Sequence, residues 1–235
     1  MEIINWSGYE WITQERWGQV HPEKWFQWYD SSAVKIDDSD RLHLLTHKNP
    51  KKFEEIEKVS PIGVGLVSNL TRFSYGSFEI CAKLPKGKFL WPAFWMYSWS
   101  SWPPEIDVFE GYSGKNPNYF NLDWKDIFNP RNIHTNIHWL NNGKHDTTGG
   151  GRGKLNFFKN PTKNFIKYRL DWYPDRIELF WNNKIVRLID DKEVMKCFQN
   201  IELNVIINNA VMWGVDFDNP TESDFVIESF KYIPL

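Results

Sequence analysis

At 235 residues, with 25% charged side chains and a net charge of -2, the chain is long enough to bury a substantial core and has no global attraction for phosphate backbones. It contains no run of Lys or Arg and no zinc-finger spacing, so nucleic-acid binding is set aside. Its unusual feature is an aromatic load of 14 Trp, 17 Phe and 9 Tyr, which a chain in water must either bury or use as binding surface.

The N-terminal stretch "MEIINWSGYE" has an early acid, no basic start and no apolar segment, so no export signal is visible. The longest apolar stretch, around "FLWPAFWMY", is too short to span a bilayer, and no membrane partner is expected. Runs of strand length then recur: "RLHLLTH", "GSFEICAKL", "RNIHTNIHW", "FIKYRLDW", "RIELFWNN", "LNVIIN" and "DFVIESFKYI". Turn-forming Gly, Pro, Asn and Asp separate most of them. A short helix is expected at "DKEVMKCF", residues 191–198, and nowhere else does a helical period persist. "RIELFWNNKIVRLI" reads as a hairpin turning at Asn182-Asn183, because Asn tolerates the positive φ such a turn requires. No repeat or linker divides the chain, which predicts a single all-β domain over residues 1–235, an antiparallel sandwich with one face of each sheet buried. Cys81 and Cys197 can form at most one bridge, and their positions neither show nor exclude it. Asn5-Trp6-Ser7 and Asn69-Leu70-Thr71 are glycosylation sequons if the host glycosylates.

Side chains alternate along a strand, so each strand's exposed parity is the place to look for function. In "NIHTNIHW", His134, Asn136 and His138 share a face opposite Ile133, Ile137 and Trp139. In "GKFLWPAFWMY", Trp91 and Trp95 oppose Leu90, Phe94 and Met96, with Pro92 expected to introduce a bulge or an edge. The His134, His138 pair lies in a strand-like run without the Glu of a zincin helix, so no metal is assigned to it. "GGGRGKL", residues 149–155, lacks the Ser or Thr that must follow the Lys of a phosphate loop and reads as a mobile loop.

The densest chemistry is in "PPEIDVFEGY", residues 103–112, where Glu105, Asp107 and Glu110 sit among strand formers. Simple alternation puts Glu105 and Asp107 on one face and Glu110 on the other. A β-bulge at Val108-Phe109 reverses the parity and returns Glu110 to its companions. A solvated strand face is the plain alternative, but like charges on one face repel, and here they lie among Trp and Phe rather than Lys and Arg. The spacing alone leaves a cation site and a catalytic carboxylate pair open. Glu105 and Glu110 would be roughly 13 Å apart at Cα. Side chains leaning inward could bring the carboxyls to the ~5–5.5 Å that a retaining glycosidase needs.

"EIDVFE" resembles the active-site motif of glycoside hydrolase family 16, in the form with an extra residue that makes a β-bulge. "FSYGSFEICAKLPKGKFLWPAFWM", "FIKYRLDWYPDRIELFWNNKIV" and "DFVIESFKYI" are similar to the family's strands into the site, its later hairpin and its closing strand. The resemblance runs from about Gly63 to the C-terminus and is densest from Tyr75 to Tyr112. It implies a concanavalin-like β-jelly-roll sandwich whose concave sheet forms a cleft. It also implies that Glu105 is the nucleophile, Asp107 its assistant and Glu110 the general acid/base. A charged Glu105 about 5 Å away disfavours a second charge by on the order of 3 kcal/mol at an effective dielectric of 20, which lets Glu110 keep a proton. His138 and Asn136 match positions near the nucleophile or the sugar, Trp91 and Trp102 are expected as stacking platforms, and Trp95, His134 and Arg72 complete the binding candidates.

The expected activity is an endo-acting retaining β-glycanase, with β-1,3- or β-1,3-1,4-glucan first and a galactan such as agarose or carrageenan second. A transglycosylase and a non-catalytic lectin on the same sandwich are the alternatives. Lys83, Lys86, Lys88 and Arg72 lie near the motif in sequence, where a sulfated polymer would favour a basic cleft. The partner is a polysaccharide, the chain is expected to act as a monomer, and no cofactor is required. Glu228 offers a structural calcium one ligand where six or more oxygens are needed. A polymeric substrate implies an extracellular or cell-surface protein.

Overall fold

The computed structural model describes residues 2–119, 133–148, 151–152 and 160–235. Numbered along the chain, the strands are β1 (Ile3–Trp6), β2 (Tyr9–Ile12), β3 (Gln27–Tyr29), β4 (Val34–Ile36), β5 (Leu42–Phe53), β6 (Lys58–Val64), β7 (Leu66–Asn69), β8 (Gly76–Lys83), β9 (Leu90–Tyr97), β10 (Glu105–Gly111), β11 (Ile133–Asn141), β12 (Lys144–Thr147), β13 (Gly151–Arg152), β14 (Ile166–Trp172), β15 (Ile177–Trp181), β16 (Lys184–Ile189), β17 (Asn204–Val211) and β18 (Ser223–Pro234). One sheet has the order β1-β2-β7-β17-β9-β10-β11-β12, with β13 on β11; the other runs β16-β15-β14-β8-β18-β5-β6-β3, with β4 on β5. β3 pairs with β6 in parallel, and the central strands that carry the site pair antiparallel. The result is the expected two-sheet β-jelly-roll sandwich.

Alternation decides which face each strand buries. In β8 the burial is strictly alternate, with Phe78, Ile80 and Ala82 inward. They pack in one cluster with Phe94 and Met96 of β9, Ile106, Val108 and Phe109 of β10, Ile133 and Ile137 of β11, and Tyr168 and Leu170 of β14. The Phe109 ring lies 4.2 Å from that of Tyr168, tying the site strand to the opposite sheet. Each such side chain contributes roughly 1.5–3 kcal/mol by leaving water. Trp139 also joins this core, as its parity requires. A second cluster, with Phe26, Tyr29, Leu66, Tyr97 and Ile206, buries the continuation of the outer face across β7 and β17. The partly exposed floor is therefore β9, β10 and β11, where Trp91, Trp95, Glu105, His134, Asn136 and His138 are half-buried.

The hairpin turns where expected, with φ of 47° at Asn182 and 62° at Asn183. The helix is shorter than 191–198: it spans Lys192–Lys196, and the Asp191 side chain caps it by accepting from Glu193 N and Val194 N. Pro92 brings neither bulge nor edge, since β9 keeps continuous register with β17 from Leu90 to Tyr97. The ladder to β10 ends at Ala93, so no β10 residue pairs with Pro92, where a missing N–H would matter. β5 continues past His47 to Phe53, with a register shift between Lys48 and Lys51 around Asn49-Pro50.

Both thiols are free. The Asn69 sequon is closed, because Asn69 is fully buried and its side-chain oxygen accepts from Thr71 N at 2.7 Å. Within the glycine-rich run 149–155, residues 151–152 form β13, and the loop reading of the rest lies outside the described residues. Lys83 and Lys86 line an open hollow of about 600 Å³ beside β5 and β18, on the other sheet from the acids. Glu228 stands at a register shift of β18 beside Cys81.

Candidate active site

The bulge lies where parity demands it. Across to β11, Glu105 faces His138, Asp107 faces Asn136 and Glu110 faces His134, so three steps on β10 match two on its neighbour. Val108 and Phe109 are both fully buried, which turns Glu110 outward beside Glu105 and Asp107. On the other side Asp107 pairs with Trp95 and Glu110 with Ala93.

The carboxyls have distinct surroundings. Trp102 Nε1 donates to Glu105 Oε2 at 2.7 Å. His138 Nε2 lies 3.5 Å from Glu105 Oε1 and 3.4 Å from the buried Asp107 Oδ2. Glu110 receives two donors on one oxygen: Trp91 Nε1 at 3.0 Å and Tyr112 Oη at 2.6 Å, both to Oε1. A proton carried by Glu110 is thereby directed to Oε2, away from these donors.

Burial first, then the neighbouring Asp107 carboxyl, push Glu105 up to about 8, against the pull of His138 and Trp102. Burial and then the charge of Glu110 hold Asp107 well above the usual carboxylate range, with Lys24 and Arg187 among the groups opposing them. Glu105 and Asp107, with carboxylate oxygens within 4.8 Å of each other, do not both ionise near neutrality, so the pair retains a proton. Burial also lowers His134, so this imidazole stays neutral further into the acid range. Among the described residues, Glu105, Asp107 and His138 form the one group whose ligand-type atoms lie within 4.8 Å of one another. Three donors fall short of a calcium shell, and the Trp102 N–H already occupies one Glu105 oxygen.

The binding candidates divide. Trp91 has Lys24 Nζ 4.4 Å from its ring centroid, so one face is taken and the indole serves to hold Glu110 instead of standing open as a platform. Trp102 is 48% exposed, with the His145 ring 4.7 Å and the His138 ring 5.8 Å from its own. Trp95 donates to Asn208 Oδ1 at 2.7 Å and stacks on Tyr97 at 5.0 Å. Asn136 Nδ2 lies 3.1 Å from His138 Nε2. The His134 ring lies 5.5 Å from that of Tyr112. Arg72 is exposed and lines a separate hollow of about 210 Å³ with Ser98, Trp99 and Glu202.

Sequence reasoning missed Tyr112, Lys24, Arg187, His145 and Glu15. Tyr112, two residues beyond Glu110, shares its parity and could have been found. Glu15 is fully buried under the hydroxyl of Tyr97, which donates to Oε2 at 2.7 Å across 82 residues of sequence.

Residues 22–224 match the family model described as Glycosyl hydrolases family 16. The chain belongs to that family. The match begins upstream of Gly63, taking in β3 and β6 of the second sheet, and ends where β18 begins. A family relative from Cryptopygus antarcticus, named glucan endo-1,3-beta-glucosidase, is 33% identical over 172 residues, 64% of this chain and 56% of its own length. The beta-1,3-glucan-binding protein of Penaeus monodon is 28% identical over 57% of this chain and 36% of its own length. The chain thus spans about half or less of these curated relatives. Among solved structures, LamAcat from Zobellia galactanivorans superposes with a TM-score of 0.71 at 21% identity, covering 94% of this chain and 90% of that one, and so shares the family fold.

Proposed function

We propose that this family 16 chain is an endo-acting, retaining β-glycanase whose first substrate is a β-1,3- or mixed β-1,3-1,4-glucan. The observation that carries the reading is the bulge that sets Glu105, Asp107 and Glu110 on one open face. The name of the Cryptopygus antarcticus relative supports the choice of glucan.

Glu105 is the nucleophile and attacks the anomeric carbon, forming a glycosyl ester as the glycosidic bond breaks. Glu110 gives the proton on its Oε2 to the leaving oxygen, while Trp91 and Tyr112 hold Oε1. Asp107, protonated beside Glu105, hydrogen-bonds the carboxylate and keeps it singly charged and oriented. Esterification removes the Glu105 charge. Glu110 then takes a proton from water, whose oxygen attacks the anomeric carbon and releases Glu105. A polymeric substrate fits an extracellular or cell-surface site of action, and we take the chain to act as a single-domain monomer.

The test is release of new reducing ends from laminarin, lichenan, agar, carrageenans and xyloglucan. Laminarin or lichenan is expected to be cleaved to oligosaccharides, with the β anomer formed first. Glu105→Gln is expected to lose at least a thousandfold in kcat. Full activity in that variant would overturn the assignment. Tight binding without new ends would make this a binding module, like the named role of the Penaeus monodon relative. Cleavage of agar or carrageenan alone would move the substrate to a galactan.

A further inference from the structure

Lys24 comes from the N-terminal segment, far from the acid motif in sequence, yet its Nζ lies 4.4 Å from the centroid of the Trp91 ring. Local structure puts it there. Pro22–Lys24 form one 3-10 turn, entered through His21, whose Nδ1 accepts from Glu23 N at 3.2 Å. The two residues that follow anchor the segment: Trp25 packs edge-on against Phe217 at 5.8 Å between ring centroids, and the buried Phe26 lies 4.3 Å from Trp213. Lys24 is thereby held half-buried between a turn and two packed aromatics. Among the described residues the lysines in ion pairs are Lys52, Lys167 and Lys196, and Lys24 is not one of them. Its contact is with an indole face, the aromatic surface that attracts a cation most strongly.

The same indole is bonded to the acid. Trp91 Nε1, which can only donate, reaches Glu110 Oε1 at 3.0 Å, the oxygen to which Tyr112 Oη also donates at 2.6 Å. The Tyr112 ring lies 5.4 Å from that of Trp91, tilted by 37°. A cation over the ring draws π density toward itself and leaves the N–H more positive, so the bond to the carboxyl oxygen strengthens. The attraction also resists rotation of the indole away from Glu110. Ammonium, indole and carboxyl thus form a continuous chain of contacts.

Resting on the assignment of Glu110 as the acid, we propose that Lys24 is a positioning residue for that step: its ammonium fixes the Trp91 indole, whose N–H holds Glu110 Oε1 and so aims the proton on Oε2 at the leaving oxygen. The charge of Lys24 also acts on Asp107 through space. That effect does not pass through Trp91, and the two routes separate by experiment. A role through Trp91 belongs to proton delivery alone, so it matters only where the leaving oxygen needs a proton.

The test uses the full chain with two substrates, laminarin and 2,4-dinitrophenyl β-laminaribioside. Laminarin cleavage needs a proton on the leaving oxygen, whereas dinitrophenolate departs as a stable anion and needs none. K24M keeps an unbranched apolar stem and removes the charge. It is expected to lose about tenfold in kcat on laminarin with KM changed less than about twofold, and to keep kcat/KM within about twofold on the aryl glycoside. K24R, whose guanidinium also stacks on an indole, is expected to hold laminarin turnover within about threefold of wild type. In a W91F background K24M is expected to add less than about twofold, because the N–H through which Lys24 acts is gone. Wild-type kinetics in K24M, an equal loss on both substrates, a K24R as slow as K24M, or a full further loss on top of W91F would overturn the proposal. E110Q tests the reading beneath it, with a loss of about a hundredfold or more expected on laminarin and little on the aryl glycoside. An equal loss on both in E110Q would overturn Glu110 as the acid, whatever Lys24 does.

Discussion

The acid Glu110 is held by two donors converging on one oxygen, and they come from different distances in the chain. Trp91 arrives from β9, while Tyr112 lies just past the end of β10. A hydrogen bond to a charged or charge-developing group is worth roughly 1.5–3 kcal/mol. Removing the Tyr112 hydroxyl leaves the Trp91 N–H in place and allows the carboxyl to swing. Tyr112→Phe is therefore expected to lower kcat on laminarin ten- to a hundredfold with little change in KM, because the oxygen that delivers the proton is no longer fixed. Steady-state kinetics check it, and an unchanged kcat would show that Trp91 alone orients the acid. Tyr112 was legible as a strand former in "EGY", but a residue type does not announce which tip atom reaches which carboxyl. For the same reason Trp91 reads as a stacking surface until Lys24 is seen over its ring.

At the scale of an element, strand β10 does two things with one extra residue. It buries Ile106, Val108 and Phe109 in the shared core and turns three acids to the other side, Glu105 half-buried and Asp107 and Glu110 buried. Deleting Val108 would restore plain alternation, with Ile106 and Phe109 still inward and Glu110, now four residues from Glu105, still on the face of Glu105 and Asp107. Detectable cleavage is therefore expected to survive the deletion, with a melting temperature lowered more than in Val108→Ala because a whole core residue is lost. The substitution keeps the extra residue and costs about 2 kcal/mol, a transfer and cavity cost of the usual core size. It should retain cleavage within about fivefold, and calorimetry and a reducing-end assay compare the two variants. This bulge was readable in the sequence, because period-2 patterning fails at one place between otherwise regular positions. Pro92 misled for the converse reason: its cost depends on which neighbour is present at that rung, a fact of pairing rather than composition.

Across the whole molecule, buried acids set the direction in which stability changes with pH. Glu15 rises from an ordinary 4.5 to about 7, chiefly by burial, and Glu105 to about 8. A raised acid binds more protons folded than unfolded, so its contribution is complete below pH 4.5 and is lost as pH rises through the folded value. Unfolding free energy is therefore expected to fall between pH 4.5 and 8, by on the order of 3 kcal/mol from Glu15 alone. Urea titrations at pH 5 and 8 measure it, and Glu15→Gln should remove the Glu15 share, somewhat less than half of that difference because Glu105 supplies the larger part, while leaving the pH 5 midpoint nearly unchanged. A wild-type midpoint that rises with pH would contradict the burial of these groups. The sandwich, its faces and the acid triplet were legible because strand alternation is local. Glu15, Lys24 and Arg187 were not, since they meet the site only after distant segments pack together.

The closed sequon bears on how the protein can be made. In a yeast or insect secretory pathway, a glycan transferred to Asn69 before β7 pairs with β17 would keep that buried side chain out of the fold, whereas Asn5 is exposed on the outermost strand and can carry one in the folded protein. Protein secreted by such hosts should carry a single N-linked glycan, far from the catalytic floor, and enzymatic trimming with an endoglycosidase should leave turnover untouched.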